Sequence, residues 1–166
     1  MNSIPHNFDI LTNLIERYVL PSALNKDPNG LSLSQYNILY YLYTHDQVRP
    51  KDLAYALCIS SPAVTYALQR LESENLIEII PSKEDKREKT VALTKDGDIA
   101  VSTITKAKEE IIEEILKELS ATQRQSLNNG LEAFLQKAGV KIGQDKLCLK
   151  CGFAHSPTCI LNNLKK

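Results

Sequence analysis

Two short helices joined by a tight turn, followed at once by a charged hairpin, predict a mainly α-helical fold with a small β-wing, a winged helix-turn-helix. The helices are read in VRPKDLAYALCISSPAVTYALQRLESEN and the hairpin in LIEIIPSKEDKREKTVALT. Amphipathic stretches on either side predict flanking N- and C-terminal helices. The division expected is an N-terminal helix and turn over 1–32, the winged unit over 33–95, C-terminal helices over 96–139 and a cysteine-rich tail over 140–166.

In chain order, FDILTNLIERYVLPSAL carries Phe8, Leu11, Leu14, Ile15, Tyr18 and Val19 at helical spacing, and Pro21 is expected to kink or end that helix. The breakers of DPNG, Asp27 to Gly30, make a turn. LSLSQYNILYYLYTH reads as a helix capped by Ser32 or Ser34, with Ile38, Leu39 and Leu42 inward. Its four tyrosines, Tyr36, Tyr40, Tyr41 and Tyr43, suit core and dimer packing or a ligand pocket. Pro50 opens the next helix, with Leu53, Ala54 and Leu57 inward, and Cys58 in the turn is read as a small packing residue. Ser60 or Ser61 caps the following helix, Pro62 sits in its first turn, and Val64, Leu68 and Leu71 face the core. Asn75 stands where a left-handed C-cap is expected.

Beyond the hairpin, Thr94 is the expected cap of a long helix whose apolar face is Ile99, Ile104, Ile111, Ile112, Ile115, Leu116 and Leu119. Ser120 and Gln123 form a capping box that starts a last helix through Leu127, Leu131, Phe134 and Leu135, ending at Gly139. These two helices fit either a core pair or a dimer interface.

Composition narrows the function classes. With 166 residues, 43% hydrophobic and 24% charged, the chain can bury a real core. A net charge of zero means that nucleic-acid binding must come from a local patch or motif. No apolar run is long enough to span a membrane and the N-terminus lacks signal-peptide character, so the expectation is a cytoplasmic protein with no membrane partner.

The segments PKDLAYALCISSPAVTYALQRLESENLIE and DKREKTVALTKDG together resemble the MarR family of winged-helix transcription regulators, over about Leu33 to Leu135. Asp85, Arg87, Leu93, Thr94 and Gly97 fill the positions of the family's wing. The resemblance implies a homodimer built from the N- and C-terminal helices. It implies that each recognition helix enters a major groove and each wing arginine a minor groove of a pseudo-palindromic duplex. The family often has arginine where Tyr66 stands and glycine where Asn75 stands.

The residues themselves support this. With Val64, Leu68 and Leu71 inward, Ser61, Thr65, Tyr66 and Gln69 fall on the outer face, where hydroxyls and an amide can bond phosphates and base edges. At the hairpin tip Lys83, Lys86, Arg87 and Lys89 alternate with Glu84, Asp85 and Glu88, a mixed patch in which Asp85 can orient Arg87.

The family resemblance says nothing about the residues from Gly139 onward. Three of the chain's four cysteines lie in CLKCGFAHSPTC: Cys148, Cys151 and Cys159, with His155 between the last two. Paired thiolates three positions apart, a glycine at the knuckle and a histidine suit a Cys3His zinc site. An iron–sulfur cluster, a metal-free thiol switch and an inert tail are the other readings. The function expected is a sequence-specific regulator of transcription, in the first place a repressor, whose affinity responds to a small ligand, a metal or redox state. The alternatives are a dithiol redox enzyme on Cys148 and Cys151, and a winged helix used only for protein contacts with a structural metal tail.

Overall fold

A computed structural model describes residues 3–45, 47–81 and 89–142. The hairpin tip with Lys83, Lys86 and Arg87, and the tail with Cys148, Cys151, His155 and Cys159, lie outside the described residues.

Helix α1 (Ile4–Leu14) is capped by Ser3 and runs without a break into α2 (Leu20–Leu24) through a π-helical turn, Ile15–Val19. Pro21 therefore does not end the helix, contrary to expectation. It occupies the first turn of α2, and the Leu20 N–H bonds the Ile15 carbonyl in the wider π pattern just before it. A π turn is a common way to pass an awkward residue without breaking a helix. The turn that follows has the buried Asp27 accepting from the backbone and side-chain N–H groups of Asn29, and Gly30 at φ 64°.

Helix α3 (Leu33–Thr44) starts with a full capping box between Ser32 and Gln35. It buries Tyr36, Ile38, Leu39, Tyr41 and Leu42, the centre of the core. Helices α4 (Pro50–Leu57) and α5 (Ser61–Ser73) follow, then strands β1 (Ile77–Pro81) and β2 (Lys89–Leu93). The strands pair antiparallel from Ile77 opposite Leu93 to Pro81 opposite Lys89. Val48, in the α3–α4 connection, bridges Val91 on the other edge of β2 with two backbone bonds of 2.8 and 3.1 Å.

Helix α6 (Lys95–Lys117) takes Thr94 as N-cap. Its buried stripe is Gly97, Ala100, Val101, Ile104 and Ala107, whereas Ile99 and Ile115, expected inward, are exposed. The reason is close approach. Thr94 N–H bonds the Leu76 carbonyl at 3.1 Å, and a Cβ on Gly97 would collide with that same oxygen and meet Leu93 Cδ2 at 3.0 Å. Small residues are needed where backbone meets backbone, so the face is set by Gly97 and the alanines rather than by the larger isoleucines.

Helix α7 (Ala121–Ile142) begins at the expected Ser120–Gln123 box. It continues through Gly139, which is buried, instead of stopping there. An interior glycine costs a helix only about 1 kcal/mol, too little to end one by itself. Every residue from 121 to 137 is exposed within the single chain. The Phe8 and Phe134 rings, 4.7 Å apart, and a two-pronged Arg124–Glu113 ion pair tie α7 to the rest.

The two glycines at 97 and 130 make a matched test. Gly97→Ala should lower unfolding free energy by about 3 kcal/mol, because the new methyl overlaps backbone. Gly130→Ala, with open space around it, should raise it by up to about 1 kcal/mol. Urea denaturation of the two variants against the parent chain measures both.

Candidate nucleic-acid interface

The α4–α5 pair is held by its ends. Arg49 forms an ion pair of 2.8 Å with Asp52 in the first turn of α4, which Pro50 opens. At the other end Cys58 adopts φ 53°, while Ile59 N–H bonds Ala54 O at 3.1 Å and Cys58 N–H bonds Tyr55 O at 3.3 Å. This is a Schellman motif, and both flanking residues, Ala54 and Ile59, pack against the core. Cys58 is thus exposed and conformational, not the packing residue expected. Ser60 then caps α5, its Oγ accepting from Ala63 N–H at 3.4 Å, and Pro62 lies in the first turn.

Helix α5 buries Val64, Leu68 and Leu71 against α3, α4 and β1. It ends in a second Schellman motif, with Asn75 at φ 57°, Leu76 N–H on Leu71 O at 2.9 Å and Asn75 N–H on Glu72 O at 3.0 Å. Asn75 is clasped further, its carbonyl accepting from Thr94 Oγ1 at 2.6 Å and its amide donating to Asp96 at 3.0 Å. Recognition helix, hairpin and α6 therefore share one joint.

The opposite face of α5 is open. Ser61, Thr65, Tyr66 and Gln69 are all exposed, Tyr66 at 71%. These are the four outer-face residues expected, brought together on a ridge about two turns long. Arg70 donates its Nε to Glu74 at 2.9 Å, and that hydrogen bond and charge hold its guanidinium above its ordinary pKa. Thr65 Oγ1 donates back to Ser61 O at 3.0 Å. Tyr55, 73% exposed near the end of α4, was not anticipated on this side of the protein.

Behind the reading head, Tyr36 and Tyr41 belong to the core. Tyr36 OH lies 3.4 Å from Thr105 Oγ1, and burial raises its phenol pKa. Tyr40 carries Lys108 Nζ at 5.3 Å from its ring centroid, and burial lowers the pKa of that ammonium. Tyr36 and Tyr40 thus join α3 to α6, whereas Tyr43, 44% exposed, stacks on Tyr40 at the surface. Among the described residues no group of His, Cys, Asp or Glu could hold a metal ion. No described helix is long and apolar enough to cross a membrane.

A capped helix pair joined by a tight turn, its second helix half buried and half bare beside a two-stranded hairpin, defines the winged helix-turn-helix class. A sequence model of the MarR family matches residues 31–89. The Bacillus subtilis transcriptional regulator YwoH is 31% identical over 111 residues, 67% of this chain and 80% of that protein. Bacillus subtilis YdgJ, also named an HTH-type transcriptional regulator, is 35% identical over 98 residues, 59% of this chain. The match spans 60% of YdgJ's own length. The homoprotocatechuate degradative operon repressor of Escherichia coli is 29% identical over 107 residues, 64% of this chain and 72% of that protein. The chain belongs to the MarR family.

The fold agrees. MepR, a transcription regulator of a Staphylococcus aureus multidrug efflux pump, superposes with a TM-score of 0.72 at 22% identity, covering 82% of this chain and 98% of that one. A MepR mutant bound to an oligodeoxyribonucleotide gives 0.62 at 23% identity, with the same coverage. The family and these relatives are transcription regulators, not enzymes; the matched residues, 31–89, do not extend to Cys148 and Cys151.

The two left-handed caps give a paired prediction. Cys58→Gly should stabilise the chain by about 0.5–1 kcal/mol, since a side chain at positive φ is unfavourable and this one is exposed. Asn75→Gly should give no such gain, because it forfeits the bond to Asp96. Thermal unfolding of both variants, followed by circular dichroism, measures the difference.

Proposed function

We propose that the chain is a sequence-specific DNA-binding transcription regulator, a repressor in the first place, that works in the cytoplasm as a homodimer on a pseudo-palindromic operator. The observation that carries this reading is the bare, polar outer face of α5, presented by a helix fixed at both ends. Names of relatives as transcriptional regulators, one of them an operon repressor, support it, as does a structural neighbour's complex with an oligodeoxyribonucleotide. Helix α5 enters the major groove with Ser61, Thr65, Tyr66 and Gln69 against base edges and phosphates. By the family resemblance Arg87 inserts in the minor groove, and Lys83 and Lys86 lie near the backbone.

The partner for α7 is a second copy of the chain. A 22-residue helix with Leu127, Leu131, Phe134, Leu135, Val140 and Ile142 exposed cannot owe its stability to one subunit, since helices draw most of theirs from packing an apolar face. Helix α1, which meets α7 through Phe8 and Phe134, leaves Ile4, Ile10, Leu11 and Leu14 exposed as well. A two-fold pairing over these helices sets two α5 helices to half-sites about one helical turn apart. Sedimentation should find a dimer at micromolar concentration, and Leu131→Asp should shift it to monomer with loss of palindrome binding. Arg87→Ala should weaken binding and reduce the slope of log affinity on log salt by about 1. A monomer that binds one half-site as tightly as a palindrome defeats the reading.

A second reading concerns the tail, and cysteine spacing favours it: Cys148, Cys151, Cys159 and His155 hold one metal ion, zinc first and an iron–sulfur cluster second. Loss of the metal or oxidation of its thiols, alongside or in place of a small-molecule effector, would tune operator affinity. Protein purified without oxygen should contain about one zinc per chain and be colourless, or roughly two to four irons per chain and absorb in the visible if the group is an iron–sulfur cluster. Cys148→Ser with Cys151→Ser should remove it. Lost metal with changed operator affinity supports a sensor, and lost metal with unchanged affinity a structural staple. Metal-free wild-type protein in every redox state turns the tail into a thiol switch.

A further inference from the structure

We propose that the outer face of α5 reads A·T base pairs in the major groove and disfavours G·C, with Gln69 on adenine and the methyl groups of Ala63 and Thr65 on thymine. This rests on the DNA-binding reading above and specifies its partner.

Three observations converge on it. First, no charged residue occurs from 61 to 69. Guanine is read in the major groove mainly by a cation spanning O6 and N7, and cytosine by a carboxylate accepting from N4. The ridge offers neither. Arg70 is the one cation of α5, and its Nε is engaged with Glu74 on the side leading away from the helix start. Second, the Gln69 side chain is exposed and makes no hydrogen bond among the described residues, which leaves its carbonyl and NH2 open as a pair. That donor–acceptor fork matches the N6 donor and N7 acceptor of adenine. Third, the Thr65 hydroxyl proton is already given to the Ser61 carbonyl. Its donor is withdrawn from base readout and its γ-methyl remains; the methyl of Ala63 is exposed as well, on the other flank of the same helix. Methyl groups suit the C5-methyl of thymine, which no other base presents. The hydroxyls of Ser61 and Tyr66 can bond either kind of pair and do not decide between them.

An A·T preference can also arise without base contacts, from a narrow minor groove that attracts a cation. The experiment separates the two. The full-length chain is used to select sites from a pool of randomised duplexes. In the selected operator, thymines are then replaced by uracil, which removes only the C5-methyl. Adenines are replaced by 7-deazaadenine, which removes only N7. Both changes leave the minor-groove edge intact. The expected result is A·T at the core of each half-site, with an affinity loss of about ten-fold for the critical 7-deazaadenine and a smaller one for the critical uracil. In Gln69→Ala the parent operator should bind about ten-fold more weakly and the 7-deazaadenine penalty should vanish. Gln69→Arg should move the preference at that pair toward guanine. Half-sites with G·C beneath α5 overturn the proposal, and so does an A·T preference indifferent to both base changes. In either case specific DNA binding still stands. A pool that yields no preferred sequence overturns the regulator reading itself, and this inference with it.

Discussion

The joint at Asn75 and Leu76 governs the rest of the molecule. Four groups meet there: the left-handed end of α5, the first residue of the hairpin, the cap of α6 and the glycine one turn into it. Asn75 O takes the Thr94 hydroxyl, Leu76 O takes the Thr94 N–H, and Gly97 lies against that same Leu76 carbonyl. Thr94 Oγ1 also accepts the Gly97 N–H at 3.1 Å, so one threonine caps α6 and ties it to α5 at once. Each bond is modest, of order 1 kcal/mol net, but together they fix the angle between a helix that faces outward and a helix that runs the length of the subunit. Within the subunit, α6 is linked to α5 through this joint and through the core that α3 shares with both helices.

Much of this arrangement is legible in the residues, and the parts that are not share a cause. Caps are short-range, side chain to nearby backbone, and Ser32 with Gln35, Ser60 with Pro62, Thr94, and Ser120 with Gln123 all stand where local chemistry places them. The inward faces of α3 and α5 also follow from spacing alone. Features decided by contact between distant segments do not. The stripe on α6 is misjudged because hydrophobicity favours Ile99 over Gly97, whereas the packing is limited by how close two backbones come. The pairing of Val48 with Val91 has no signal in a single apolar residue between two helices. Cys58 is misread because its burial is a population tendency of cysteine, while here the turn demands a positive φ. For the candidate site, the ridge on α5 is readable because a helix with one buried face has only one other. That the Thr65 hydroxyl is spent on its own helix is not readable, since it depends on a rotamer. The wing cations and the metal-type cysteines rest on sequence chemistry alone.

Two parts of one subunit have different standing in the folding balance. The winged unit shares one core with α2 and α6, in which Ile38, Leu39, Leu53, Leu71 and Ile104 are essentially inaccessible to water. Helix α7 encloses nothing of its own, and its open groove with the end of α6, about 440 Å³, is lined by Leu116, Leu127 and Leu131 together with Arg124, Gln125 and Asn128. If association covers those surfaces, the stability of α7 depends on protein concentration while that of the winged unit need not.

The π turn between α1 and α2 has a consequence of phase. A helix advances about 100° per residue, so one extra residue held in a wider loop rotates everything before it by that angle relative to everything after it. Downstream of the turn, Ala23 is buried in the core; upstream, α1 buries no residue, and Ile4, Ile10 and Leu11 are exposed. A strictly α-helical rod would hold the two segments in a single register. With the insertion, a single unbroken element carries an azimuthal offset between its two ends, written into the backbone by five residues, Ile15 to Val19.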